Sequence, residues 1–309
     1  MRLEFINAII FSILKYSNFL LAWLYTTSNP YVQAVYEALL RKLTEVRITS
    51  YDCLTTFLCL SRIKTIYRKR KREIVLFGNC GYDLIARGYR RKVWDVIFIV
   101  SRVTPRGKGV VVDAGCGPGH NTLALLEHGL FYKALCLDIS FNMVHKAVTC
   151  AGDFTGSGRF QGVCSDMSAM PLRDSVADAV LMVASLHHLI DHASRIRALR
   201  ESFRVLKTGG AVLVVVWARW QARLLPLLLK GVARYVLRRS ESPWDVVKCS
   251  RGGAVCREYH LYSLGELISD VRGAGFKVVE AGTYVAPGRK SLPRKNYYVV
   301  GVKPRVNSK

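Results

Sequence analysis

An α/β fold, with a mostly parallel sheet covered by helices on both faces, is predicted by three observations. Short apolar runs at 109–114, 133–138, 160–165, 177–184 and 210–217 alternate with helix-compatible stretches, the pattern of strands joined by crossover helices. Two later runs, at about 275–285 and 296–303, bring the strands to seven. Half of the 309 residues are hydrophobic, which is ample for a core and excludes disorder as the default.

The elements follow in order. Residues 5–25, FINAIIFSILKYSNFLLAWLY, are the most apolar stretch of the chain and are long enough to cross a bilayer as a helix. Lys15 sits at their middle, and a central lysine costs roughly 2.5 to 3.5 kcal/mol on insertion scales. A packed or peripheral amphipathic helix is therefore expected, with a membrane anchor as the alternative. A cleaved signal peptide fits poorly, since the basic start is Arg2 alone and no small-x-small site follows Trp23. An upstream start-site artefact is a third reading, no methionine lying between Met1 and Met143. A helix-compatible region, Tyr31 to Lys64, leads to the basic run Arg68-Lys69-Arg70-Lys71-Arg72. Such runs are solvated or contact phosphates. The run marks the expected boundary between a helical, partly apolar, basic extension at 1–72 and a main domain at 73–309. Within that domain, helix signals fill the gaps between strands, as from Ser194 to Leu206, ended by Lys207-Thr208-Gly209-Gly210. Residues 218–258 form a basic insertion after the fifth strand.

The first strand ends in Asp113-Ala114-Gly115-Cys116-Gly117-Pro118-Gly119, and Asp138 closes the next apolar run. Glycines after a strand let the backbone pass close to a ligand, while an acid ending the next strand accepts hydrogen bonds from ribose hydroxyls. Dinucleotide sites use G-x-G-x-x-G around a pyrophosphate. Here the pattern is D-x-G-x-G-x-G, and Asp113 would repel a phosphate but suits a cationic ligand. An ordinary strand-to-helix turn is the bland alternative. Asp166-Met167 ends the third strand. That carboxylate can accept from an adenine amine and the Met167 amide can donate to a ring nitrogen, although Asp166 could equally cap a helix. Asp174 and Asp178 are expected to shape entry into the fourth strand.

This loop resembles the S-adenosylmethionine site of Rossmann-like methyltransferases. The resemblance implies a seven-stranded sheet, mostly parallel with an antiparallel last strand, and S-adenosyl-L-methionine as cofactor. Asp113, Gly115, Gly117, Gly119, Asp138, Asp166 and Met167 would hold it, with Asp113 near the methionine ammonium. A narrower resemblance rests on Tyr82-Asp83-Leu84-Ile85-Ala86, Arg90-Arg91-Lys92-Val93-Trp94, Ser185-Leu186-His187-His188-Leu189, Glu201-Ser202-Phe203-Arg204-Val205-Leu206-Lys207-Thr208-Gly209-Gly210, Val216-Trp217-Ala218, Arg257-Glu258-Tyr259-His260-Leu261-Tyr262 and Asn296-Tyr297-Tyr298. In that order these motifs are similar to the tRNA wobble-uridine carboxymethyl methyltransferases, over about residues 81–303. That family usually has a longer stretch before its tryptophan, with proline where Val93 stands.

The resemblance implies esterification of the carboxylate of 5-carboxymethyluridine in tRNA. A carboxylate is already ionised at neutral pH, so methyl transfer to it needs positioning rather than a general base. Expected positioning residues are His187, His188, Arg90 and Tyr259, with Arg91, Arg219 and His260 as further candidates. Packing readings stand beside these: His187 and His188 could simply pack a loop, Tyr259 and His260 could pack the insertion, and Trp94 and Trp217 could be core rather than base-stacking platforms. His188-Leu189-Ile190-Asp191-His192 only superficially resembles a zinc motif, so no metal is expected. Alternatives are a small-molecule methyltransferase acting on a lipid or quinone at a membrane surface, and a non-catalytic RNA-binding protein.

The chain carries a net charge of +24. Residues 1–108 hold 19 Lys and Arg against 7 Asp and Glu, 109–208 hold 9 against 9, and 209–309 hold 18 against 6. Basic flanks around a neutral core predict a polyanionic partner, tRNA first and an anionic membrane second. The resembled family also implies a small zinc-binding methyltransferase activator protein as partner. Nine cysteines show no repeated C-x-x-C spacing. Thiols rather than disulfides are expected, and hence a cytoplasmic setting.

Overall fold

The computed structural model describes residues 109–249, 256–286 and 294–305, with Tyr82, Ala86 and the backbones of two short strands at 66–68 and 73–75. The chain divides into two compact units, Met1–Leu58 and Cys59–Lys309, and every described residue lies in the second. The apolar stretch 5–25, the helix expected at 31–64, Arg90, Arg91 and Trp94 lie outside the described residues.

The strands are β1 (Ile66–Arg68), β2 (Glu73–Val75), β3 (Val110–Ala114), β4 (Lys133–Asp138), β5 (Phe160–Cys164), β6 (Ala177–Val183), β7 (Leu206–Trp217), β8 (Asp245–Cys249), β9 (Cys256–His260), β10 (Lys277–Ala286) and β11 (Arg294–Val302). β1 and β2 form a small antiparallel ladder, and β8 and β9 another. The other seven make one sheet in the order β10-β11-β7-β6-β3-β4-β5. β11 is antiparallel to both its neighbours, while β3 to β7 pair in parallel. The order reverses between β3 and β6, and such a switch point opens a crevice at the carboxyl ends of the strands.

Alternation along the central strands supplies two cores. Val112, Ala114, Val180, Met182, Val212 and Val214 face one side; Val111, Ala179, Leu181, Val183, Leu213 and Val215 face the other. A parallel strand covered on both faces therefore reads as an unbroken apolar run. Helices close both sides: α1 (His120–Glu127) and α2 (Phe141–Ala151) with the one-turn α3 (Asp153–Gly156), and α4 (His192–Val205) and α6 (Leu264–Gly273) opposite. Their starts are set by caps. Ser140 accepts from the Met143 amide, Asp191 from the Ser194 amide, and Ser263 forms a capping box with Glu266. Asp178 accepts from the Val110 amide at 2.8 Å and pairs with Lys207, so it fastens β6 to β3 as well as shaping the turn.

The insertion holds α5 (Leu225–Val236) followed by the β8–β9 hairpin. Leu224 and Leu228 pack with Val246, Tyr259 and Leu261 in a third, smaller core.

The cysteines depart from expectation. Cys116 is paired with Cys136, with Cα atoms 5.6 Å apart, and Cys249 with Cys256. Strand adjacency brings these residues together, Cys116 lying just beyond β3 and Cys136 on β4. Their spacings of 20 and 7 residues gave no recognisable motif. The cysteines therefore carry no argument for a reducing compartment.

Candidate functional site

A cleft lies at the carboxyl edge of the sheet, at the switch point. It is lined by Gly115, Gly117, Asp138, Ile139, Met143, Ser165, Asp166, Met167, Ala184, Ser185, His188, Leu189 and Arg257, with Tyr82. The space it encloses is roughly 790 Å³, open mouth included.

Its acidic half comes from β4 and β5. Asp138 accepts from the Gly117 amide through Oδ2 at 2.8 Å and from the Ser140 amide through Oδ1 at 2.9 Å. A carboxylate offers about four acceptor sites, so one side chain can shape the loop and still receive ribose hydroxyls. Asp166 accepts both the amide and the hydroxyl of Ser168 on Oδ1 at 2.8 Å, which aims the carboxylate. Ile139, Met143 and Met167 supply apolar surface beside these acids, as the flat face of an adenine requires. These acceptors suit a nucleoside that carries positive charge.

The glycines divide the work. Gly115 adopts φ +80°, and a Cβ there would collide with the Ser185 side chain and come within 3.0 Å of Met167 Cε. Gly117, at φ +56°, meets nothing within 4 Å, so its loop stays open. Gly119 does not line the cleft. It caps α1 in the left-handed region, and its missing side chain lets α1 approach Ala147 of α2. Asp113 does not line the cleft: it is buried and accepts from Thr122 Oγ1 at 2.5 Å.

The other half of the cleft is aromatic and basic. The 3-10 turn Leu186–His188 follows β6 and presents His188 to the cleft. Tyr82 Oη lies 2.7 Å from His188 Nδ1, which orients the ring. His187 and Tyr259, expected to touch substrate, are instead buried. Tyr259 stacks on Trp217 at 4.5 Å and 11°, and rings of His187, His188 and Tyr259 lie 4.6 to 5.7 Å apart. They back His188 rather than line the cleft. Of the four expected positioning residues, His188 lines it and Arg90 lies outside the described residues.

His260 and Arg219 are also structural. His260 is buried between Asp245 Oδ1 and Glu266 Oε1, each at 2.7 Å. Burial opposes its charge, but the bonds to Asp245 and Glu266 outweigh it and raise its pKa above the ordinary imidazole value. Arg219 pairs with Glu266 at 2.6 Å and lies over the Trp244 ring. Together they fasten β8, β9 and α6, and so hold the wall on which Tyr259 stands.

The sequence assigns no role to several cleft residues, Ala184, Ser185 and Arg257 among them. Ala184 sits at φ +56°, a costly conformation for alanine that turns the chain at the end of β6. Ser185 donates to the Ala114 carbonyl at 2.7 Å and braces the two strand ends. Arg257 lies on the same face of β9 as Tyr259, with its guanidinium 5.6 Å from that ring. Strand alternation could have found it, because residues i and i+2 share a face.

The methyltransferase domain family matches residues 112–214, which span β3 to β7. A protein of Encephalitozoon cuniculi named as a methyltransferase is 32% identical over 178 residues, covering 57% of this chain and 74% of that protein. The tRNA (carboxymethyluridine(34)-5-O)-methyltransferase of Xenopus tropicalis is 29% identical over 56% of this chain and 27% of its own length. The protein of that name from Arabidopsis thaliana is 30% identical over 50% and 37%. The chain thus spans about a third of these two relatives. Among solved structures, a SAM-dependent methyltransferase from Methanosarcina mazei superposes with a TM-score of 0.57 at 20% identity, over 67% of this chain and 98% of that one.

Proposed function

This chain belongs to the S-adenosylmethionine-dependent methyltransferases, and from that premise we propose that it methylates tRNA, esterifying the carboxylate of 5-carboxymethyluridine at the wobble position. The observation that carries the reading is the cleft's division: Asp138 and Asp166 on the β4–β5 side, His188 and Arg257 on the other. An acidic half suits a cationic donor, and a basic, aromatic half suits an anionic acceptor attached to a base. Relatives named for this reaction support it.

S-adenosylmethionine, when bound, supplies an electrophilic methyl group on its sulfonium. Asp138 would hold its ribose, Asp166 and the Met167 amide its adenine, and the Gly115–Gly117 loop its methionine end. The acceptor carboxylate is ionised near neutral pH and needs no general base. Arg257 and His188 would position it, and the stacked Trp217–Tyr259 pair would keep that wall rigid. Alignment of this kind can supply roughly 7 to 11 kcal/mol of a barrier. A small zinc-binding activator protein and a cytoplasmic setting belong to the same reading.

The test is nucleoside mass spectrometry of tRNA incubated with the protein and the donor. The expected product is a methyl ester on carboxymethyluridine that mild alkali removes. An alkali-stable methyl, or label entering lipid or quinone instead of RNA, overturns the proposal.

A further inference from the structure

Helix α5 wears its apolar residues outside. Leu225, Leu229, Val232 and Val236 fall on one stripe, at i, i+4, i+7 and i+11, and are 53%, 65%, 41% and 72% exposed; Leu237 is 62% exposed. Trp220, just before the helix, is 61% exposed. The face about a quarter-turn round is seated: Leu228, with Leu224 just before the helix, joins the small core under the β8–β9 hairpin. Gly231 presses so closely that a Cβ would meet the Pro243 carbonyl at 2.7 Å. A surface helix normally turns its polar side to water, and a contiguous exposed apolar patch marks an interaction site.

Charge selects the occupant. Between Arg219 and Ser240 there are five further cations, Arg223, Lys230, Arg234, Arg238 and Arg239, and no acidic residue. Lys230 is exposed on the polar side of the helix, about 130° round from the stripe, and Arg238 and Arg239 are exposed just beyond its C-terminus. A second copy meeting this face would oppose like charges, and RNA would satisfy the cations while burying none of the leucines. A bilayer with anionic headgroups satisfies both, with acyl chains under the stripe and lipid phosphates or carboxylates at its rim. Indole rings favour that interface. At 12 residues the helix is far short of the roughly 20 needed to span, so it would lie in the surface plane. We infer that α5 is a membrane-surface helix that docks this protein on bilayers carrying anionic lipid, independently of the acceptor proposed above.

The test is co-sedimentation of the full chain with phosphatidylcholine vesicles, with and without phosphatidylserine. The wild type is expected to bind the anionic vesicles preferentially. Leu229→Glu combined with Val236→Glu should weaken that binding about tenfold or more, and so should Lys230→Glu combined with Arg238→Glu and Arg239→Glu, with cofactor affinity unchanged in both as the control for folding. Failure of the wild type to bind, equal binding to neutral vesicles, or variants that bind like the wild type would overturn the inference; the last result would place any attachment elsewhere in the chain. Concentration-dependent self-association lost in the apolar variant, without vesicle binding, would assign the face to a second copy and overturn it too.

Discussion

At Asp138 one carboxylate takes two backbone amides from the loop that it would help close over a ligand. Asparagine keeps one acceptor oxygen but turns an NH2 on the Gly117 or the Ser140 amide and loses the charge that favours ribose hydroxyls, so Asp138→Asn should cost more affinity than one lost hydrogen bond. A drop of about thirtyfold or more corresponds to roughly 2 kcal/mol, the scale of a charge-assisted pair. His260 supplies a second residue-scale prediction. It faces Asp245 from β8 and Glu266 from α6, with Arg195 an opposing charge. Because its folded pKa is raised, its stabilisation is fully present below about pH 6.5, the ordinary imidazole value, and is lost as pH rises through the folded value. Urea titrations should show wild-type stability falling as the pH rises above about 6.5, and His260→Gln should flatten that slope. His260→Ala leaves two carboxylates facing each other and should cost about 3 kcal/mol or more. A pH slope that persists in His260→Gln would show that another group titrates there.

At the scale of elements, the turn from β3 to α1 depends on what Gly115 lacks. A methyl group there meets the Ser185 side chain, itself bonded to the Ala114 carbonyl, and the φ of +80° is unfavourable for any other residue. Gly115→Ala should lower the melting temperature and weaken cofactor binding about tenfold or more, since strain alone costs roughly 1 to 2 kcal/mol. Unchanged affinity in that variant would remove the loop from the site. The strands were legible because each is buried on both faces and reads as an apolar run; β4 begins and ends at the residues expected, 133–138. The β8–β9 hairpin was not. Its strands, Asp-Val-Val-Lys-Cys and Cys-Arg-Glu-Tyr-His, mix charge with apolar residues, because they pack on a small side core and turn ion pairs inward. Asp138 and Asp166 stood out as acids ending apolar runs. Ala184, Ser185 and Arg257 did not, because their placement depends on a backbone turn and on strand partners distant in sequence. The burial of Asp113, His187 and Tyr259 was hidden for the same reason, since a motif does not reveal which of its side chains turns inward.

For the whole molecule, charge is the property that acts at a distance. The neutral segment 109–208 carries the sheet's centre, while 209–309 holds 18 Lys and Arg against 6 Asp and Glu and includes Arg257 and the insertion. If tRNA is the acceptor, its affinity should fall by about tenfold or more between roughly 50 and 200 mM salt, as counterion release requires. A filter-binding series would show this, and a salt-insensitive affinity would argue against phosphate contacts. All of these expectations meet at the cleft between the acids of β4 and β5 and the wall formed by His188 and Arg257. The most direct measurement is calorimetric titration of S-adenosylmethionine into the wild-type protein and into Asp138→Ala. The predicted result is one saturable site in the wild type and its loss or severe weakening in the variant; no heat in the wild type, or equal binding by both, would contradict the placement of the donor in this cleft.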